Sequence, residues 1–562
     1  MSSATGVLSR AVRGGSYRFI QRLCTFAANS LVLRKVHLNV AGAVTIRLEL
    51  VLASIFLLRD GFRLAFLRVP SLDSKDLSHG TSYIQQLVNT AWLSTLISWI
   101  VAGILLMYSF VMSDTKSEMD EVELRYSTVL AMYCGAAMIE ALAEPMYVLA
   151  HASVLVSWQV AAQSAAFLVR AAVQYLGVVV FELSLTAYGI AELSFALTLL
   201  VTFALFFYQR IHQSSSTNTF ALSSMGQLLP RIPENGVAWC HPQLTALLVP
   251  LSVQSGVKYL LAEGDKWVLT TFASLQHMGV YGLVSNLGSL VPRIVFLPIE
   301  ETTKTIFSKL VLEQNQMDNN AKDKNKSLAN GQTLLLMLLK LLNLGGLVFV
   351  SFGTTYANTL VLLLYGAEKA HQGIGDALAV YCVYIPFLGV NGVCEAVVHA
   401  VGNDYALMRL NKLLGLFFVI YAICALVFMQ VFKWGILGLI LANCVNMACR
   451  ILYCLTFLAS FFRSVTPHAQ FDNAFFNGIA FWLRSLPDQL VLVAFFSSLI
   501  VTAISQRILL AKDASSLIYH ALHVVVGVFC FSGTMLTLYI KERHLLGEQL
   551  AAMRGNNKTH KD

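Results

Sequence analysis

Residues 126–150 read YSTVLAMYCGAAMIEALAEPMYVLA, and Glu140 and Glu144 are the only charges in the run. About 20 apolar residues, rising 1.5 Å each as a helix, cross the hydrocarbon core of a bilayer. Two further runs, 153–181 and 184–208, follow with hardly a polar break, so three consecutive spans are expected. Working outward, the same pattern recurs at 16–33, 40–58, 83–112, 244–273, 279–311, 333–353, 375–400, 407–432, 434–461, 489–506 and 516–540. The expected fold is therefore all-α, a polytopic membrane protein with about 14 transmembrane helices. The first span is the weakest in hydropathy, because Gln21 and Arg22 interrupt it.

Composition agrees. Of 562 residues, 57% are hydrophobic and 12% charged, against about 25% charged in soluble domains. The ten cysteines show no paired spacing, and nine of them lie in apolar stretches, so neither a disulfide framework nor a zinc site is expected. The interrupted first run argues against a cleaved signal peptide. Arginines at 10, 13, 18, 22 and 34 with no acid before Glu49 suit a cytosolic flank, and also a mitochondrial transit peptide.

The net charge of +8 matters through its placement. With the N-terminus cytosolic, the cytosolic segments carry about three times as many Lys and Arg as the opposite side. The main contributors are the N-terminal arginines, Arg59 to Lys75, Lys304 to Lys326 and Lys541 to Lys561, while the acidic run Asp114–Glu123 faces the other way. Both termini are expected in the cytosol. The sequons at Asn325 and Asn557 then lie on that side and stay unmodified.

Segment 209–243, with SSSTNTF and Pro230, Pro233 and Pro242, reads as a polar linker, and 313–332 as a disordered hydrophilic one. Phe475–Leu486 is aromatic but too short to span, which predicts an interfacial helix. A shift of about 236 residues lays Arg22 on Lys258. With small insertions, Arg59–Arg63 then meets Pro298–Glu301, and Glu140 and Glu144 meet Asn391 and Glu395. That implies two pseudo-repeated six-helix lobes, 1–208 and 244–461, joined by 209–243. Residues 462–562 hold the interfacial segment, two extra spans and a tail.

A charge at mid-bilayer costs about 2.5–3.5 kcal/mol on insertion scales and needs a partner or a wet cavity. Arg22, Arg34, Arg47, Arg59, Arg63, Lys258 and Arg293 form the candidate phosphate-binding set, since a guanidinium matches phosphate oxygens as a planar fork and lysine acts as a point charge. Their alternative reading is as positive-inside anchors. Glu140, Glu144, Glu263, Glu300, Glu301, Asn391 and Glu395 form a candidate polar or gating set. Glu140 and Glu144 lie one helical turn apart, either as a proton or cation site or as partners of an arginine such as Arg170. Pro145 would kink or end their helix. The tract Leu261-Ala262-Glu263-Gly264-Asp265-Lys266 breaks the seventh span, either as a binding site or with Asp265 and Lys266 in local pairs with Glu263 and Lys258. No G-x-x-x-x-G-K-[ST] loop and no H-E-x-x-H occur, so no enzyme activity, cofactor or metal is expected.

Several stretches in order carry a resemblance. They include Leu58-Arg59-Asp60-Gly61-Phe62-Arg63, Ile139 to Pro145, Leu261 to Lys266, Gly279-Val280-Tyr281, Pro298-Ile299-Glu300-Glu301, Asn391-Gly392-Val393 and Leu441 to Met447. Together they resemble the Rft family, within the multidrug/oligosaccharidyl-lipid/polysaccharide (MOP) exporter superfamily. The match runs over about 15–460 and weakens across 464–562. The resemblance implies a multi-pass protein of the endoplasmic-reticulum membrane acting in N-glycosylation. The implied activity is translocation of the Man5GlcNAc2-diphosphate-dolichol intermediate from cytosolic to lumenal leaflet. The implied partners are that lipid and glycosyltransferases of the pathway, with no nucleic acid. Two alternatives stay open: a non-transporting accessory that presents the glycolipid, and a cation-coupled drug exporter using Glu140 and Glu144.

Overall fold

The computed structural model describes residues 29–67, 81–113, 121–153, 155–214, 222, 224–232, 238–316, 321–463, 474–510 and 516–556. It forms two compact units, Met1–Gly279 and Val280–Asp562. Thirteen described helices are long and apolar enough to cross a membrane, and no strand occurs among the described residues. The first expected span, 16–33, lies mostly outside the described residues, so the count of fourteen has no observed counterpart for it. The apolar excess has the expected use. On the third span, Leu96, Ile100, Ile104 and Met107 make one exposed stripe, while Ala91 and Thr95 are buried. In a bilayer, that stripe faces lipid.

In the first unit, the core gathers Phe62, Phe66, Leu87, Leu149, Phe203 and Phe207. Pro145 neither ends nor interrupts the helix Glu121–Ala152. A proline removes the donor that its residue i−4 carbonyl would accept, and the buried Thr95 hydroxyl donates to that Ala141 carbonyl instead, at 2.7 Å. The linker 209–243 is docked where it is described. Fully buried Asn89 donates to the carbonyls of Arg231 and Trp239 at 2.7 and 2.9 Å and accepts from the Arg231 N–H. Trp92 donates to Leu228 O at 2.7 Å.

The second span is helical over Leu38–Ile55. A turn then opens a separate helix, Arg59–Phe66. This corrects the expected continuous 40–58 span, along which Arg47 and Arg59 would have been about 18 Å apart at 1.5 Å per residue. The short helix packs its Gly61 onto the backbone of Ser252, where a Cβ would lie 2.7 Å from the Ser252 Cα. Gly61→Val should therefore destabilise by about 1–3 kcal/mol through overpacking. Thermal unfolding of the detergent-purified chain reads it, against Leu64→Val on the exposed side of the same helix, which should stay near wild type. Equal unfolding of the two variants would refute the contact. Gly42 and Gly279 make a second backbone approach, since a Cβ on either would meet the carbonyl of Leu275 or of Leu38.

In the second unit, the tenth span, Gly375–Val401, is buried along much of its length. Segment 313–332, expected to be disordered, is helical at both described ends, as Leu297–Gln316 and from Ala321 onward. The ninth span runs unbroken through Lys324–Tyr365, well past the expected 333–353. Its Lys, Asn, Asp and Ala residues form good enough helix to continue an apolar helix into water. The short aromatic segment forms a helix, Ala474–Leu483, with Gly478 set against the backbone of Leu455 and Thr456. The last two spans are fastened to the ninth at two heights. Lys340 pairs with Glu542 at 2.7 Å, and the Tyr356 and His523 rings stack at 4.2 Å.

Some backbone features recur at a common offset in the two halves of the chain. Wide helical turns occur at Ala43–Leu48 and Pro292–Phe296, and again at Leu176–Val180 and Val427–Val431. The latter two end alike: Phe181 N–H donates to Leu176 O and Leu183 N–H to Gly177 O, as Phe432 N–H does to Val427 O and Trp434 N–H to Phe428 O. Glu182 and Lys433 then both turn left-handed, at φ 51° and 57°. The offset, about 250 residues, keeps Glu140 and Glu144 on Asn391 and Glu395. At that offset Glu49, rather than Arg59–Arg63, falls in sequence register with Pro298–Glu301, because a turn follows Ile55.

Candidate functional site: paired and unpaired charges at membrane depth

Two rungs join the short helix Arg59–Phe66 to the fourth span. Arg59 donates to Glu140 at 2.6 Å, and Arg63 grips Glu144 with both prongs, at 2.7 and 2.8 Å. Both pairs repeat at a spacing of four residues, one helical turn. The guanidinium of Arg63 also lies 3.8 Å from the Tyr147 ring centroid, and that of Arg59 lies 4.2 Å from Phe56. Glu144 is buried. The expected partner Arg170 is engaged elsewhere, with Glu192 at 3.0 Å. Sequence reasoning missed Glu192, although a lone carboxylate within the apolar run 184–208 was a usable signal.

The seventh span breaks where expected. The helix Pro242–Ala262 ends at Glu263, and a new helix starts at Gly264. Lys266 is the hub of this break, 2.9 Å from Glu263 and 3.1 Å from Glu49 of the second span. The carboxylate of Asp265 caps the Lys266 N–H. Lys258 takes no part in these pairs.

The candidate phosphate set is thus divided. Arg59 and Arg63 are held by carboxylates. Arg34, Arg47 and Lys258 have no ion-pair partner among the described residues. Arg22 lies outside the described residues. Arg293 sits on the wide turn of the eighth span.

In the second unit, four of the seven gating candidates come together, whereas Glu140, Glu144 and Glu263 are held in the ion pairs of the first unit. Glu300, Glu301, Asn391 and Glu395 line one cavity of about 390 Å³ with Lys304 and Arg450. Arg450 pairs with Glu395, which also accepts from Asn391 at 3.2 Å. Gly392 lets the Glu300 carboxylate lie where a Cβ would fall, so a larger residue there would displace that side chain. Among the described residues, no group of His, Cys, Asp and Glu is placed to hold a metal.

The family model described as Rft protein matches residues 16–551. The chain belongs to the Rft protein family. The match extends through most of 464–562, where the sequence resemblance had weakened. Among curated relatives, the Man(5)GlcNAc(2)-PP-dolichol translocation protein RFT1 of Xenopus tropicalis is 30% identical, with 96% of each chain covered. The protein of that name from Dictyostelium discoideum is 28% identical, again over 96% of each chain. Two solved structures share the fold. The lipid II flippase MurJ, inward closed, has a TM-score of 0.56 at 15% identity, covering 95% of this chain and all of that one. An inward-facing multidrug resistance MATE family transporter of the MOP superfamily has 0.59 at 11% identity, covering 80% and 96%. For the Rft chain this establishes a multi-pass helical membrane protein of that fold.

Proposed function

We propose that the chain moves the Man5GlcNAc2-diphosphate-dolichol intermediate from the cytosolic to the lumenal leaflet of the endoplasmic-reticulum membrane. The observation that carries the reading is the full-length similarity to relatives bearing that translocation name, on a fold shared with a lipid flippase. The site chemistry supports it. A diphosphate crossing a low-dielectric region needs cations that are not already neutralised, and Arg47 and Lys258 meet that requirement. A cation-coupled drug exporter using Glu140 and Glu144 loses its motive, because Arg59 and Arg63 occupy both carboxylates.

In this reading both termini are cytosolic, and the six-span lobes 1–208 and 244–461 are the halves that alternate. Glycosyltransferases of the pathway are the proposed neighbours that make and use the lipid. Depleting the chain and profiling lipid-linked oligosaccharides tests the proposal. The expected result is accumulation of the Man5GlcNAc2 species with underglycosylated protein. Accumulation of a later, fully mannosylated species would reject it.

A further inference from the structure

At one end of the second unit, the helices Thr354–Tyr365, Gly375–Val401, Gln489–Leu510 and Leu517–Asn556 surround a cavity of about 760 Å³. That volume lies within the roughly 300–1,000 Å³ of small-ligand sites. The cavity is at the end of the ninth span away from Lys304–Lys326, which makes it lumenal in the proposed orientation. Its walls carry Thr354, Asn358, His371, Asp376, Gln506 and Arg507.

Docking two extra spans does not by itself call for these groups. Elsewhere the same helices meet through Phe352, Val491 and Phe495, which form an ordinary apolar cluster. The walls are also held in place. His520 bonds Thr359 at 2.8 Å, and His523 bonds the Ser505 hydroxyl and the Thr355 carbonyl at 3.0 and 3.2 Å. The cavity is open, with His371, Asp376 and Arg507 exposed at its rim and Leu362, Leu499 and Leu510 along its walls. A polar rim beside an apolar wall fits an occupant with both polar groups and a C–H face.

The lining identifies the class of occupant. Two amides, a guanidinium, a carboxylate and an imidazole supply both donors and acceptors. Thr354 donates to the Val350 carbonyl and Asn358 to Asp376 at 3.4 Å, so these two offer mainly their oxygens. Phosphate suits a purely cationic set, and Asp376 would repel it. Vicinal hydroxyls suit this mixture, because each can donate to Asp376 or an amide oxygen while accepting from Arg507 or an amide nitrogen. We propose that the cavity is a carbohydrate subsite, which receives sugar rings of the translocated glycan on the lumenal side. This rests on the translocation reading above.

The test uses the full-length protein in nanodiscs and the free Man5GlcNAc2 glycan, with neither phosphate nor lipid. Saturation-transfer NMR should show magnetisation reaching mannose protons. Affinity should fall at least tenfold in the Gln506→Ala/Arg507→Ala double variant and in Asp376→Asn, which preserves shape. Inorganic pyrophosphate should not compete. Absent transfer in the wild type, undiminished binding in both correctly folded variants, or competition by pyrophosphate would each overturn the subsite. A chain that restores the lipid-linked oligosaccharide profile yet binds no free glycan removes this inference and leaves the translocation reading standing.

Discussion

Glu144→Gln is expected to unfold the chain at a markedly lower temperature, and to lower its folded level in the membrane in step with its function. Glu144 is buried and receives both prongs of Arg63, so neutralising it leaves a partly buried guanidinium with half its acceptors and without its ion-pair partner. Breaking one side of such a pair costs about 3–5 kcal/mol, a large share of the roughly 5–15 kcal/mol that holds a domain folded. Arg63→Met with Glu144→Leu removes both charges together and should recover most of the folded level, because an apolar pair of similar volume replaces a buried ion pair at little cost. The competing idea, a proton or cation coupling site at Glu140 and Glu144, makes the opposite forecast. It requires Glu144→Gln to keep wild-type thermal stability while activity falls, and that outcome in a thermal-shift assay would sink the structural assignment.

The spans were legible because the signal for each is local: a long apolar run declares itself without reference to the rest of the chain. The break at Glu263–Gly264 was legible for the same reason, a glycine set among charges. Partnerships were not. Arg59 and Glu140 are 81 residues apart, and nothing local distinguishes that match from Glu140 with Arg170. What decides it is the turn after Ile55, which frees Arg59–Phe66 as a separate helix that Gly61 can press against Ser252. The run Leu57-Leu58 looks like a continuing span, so composition hides the turn.

The same turn explains the misplaced repeat register. Matching Arg59–Arg63 to Pro298–Glu301 allowed small insertions but no turn after Ile55, whereas the wide turns at Ala43–Leu48 and Pro292–Phe296 align one element earlier. Helicity from Ala321 onward was hidden in another way. Its polar residues read as solvent-seeking, which is correct, but solvent exposure does not forbid a helix that an adjoining apolar span has already nucleated. Asn89 escaped notice because a single amide in a span carries no hint of the loop carbonyls it serves.

Arg47 and Lys258 separate function from folding in the way that Arg59 and Arg63 cannot. Removing Arg59 or Arg63 leaves a carboxylate stranded, so any loss of activity there mixes two causes. Neither Arg47 nor Lys258 holds an ion-pair partner among the described residues, so Arg47→Ala and Lys258→Ala should leave the folded level and thermal unfolding near wild type. Each charged hydrogen bond to a phosphate oxygen contributes about 1.5–3 kcal/mol, so each single loss should reduce the rate of glycolipid delivery by roughly tenfold to a hundredfold. The double variant should abolish complementation of a depleted strain. Arg47→Lys keeps the charge and loses the planar fork, so it should fall between wild type and Arg47→Ala. The measurements are glycosylation of a reporter protein and the amount of folded chain in the same cells. Normal glycosylation in the double variant at normal protein level would show that the diphosphate crosses without these two cations, leaving them as interfacial anchors.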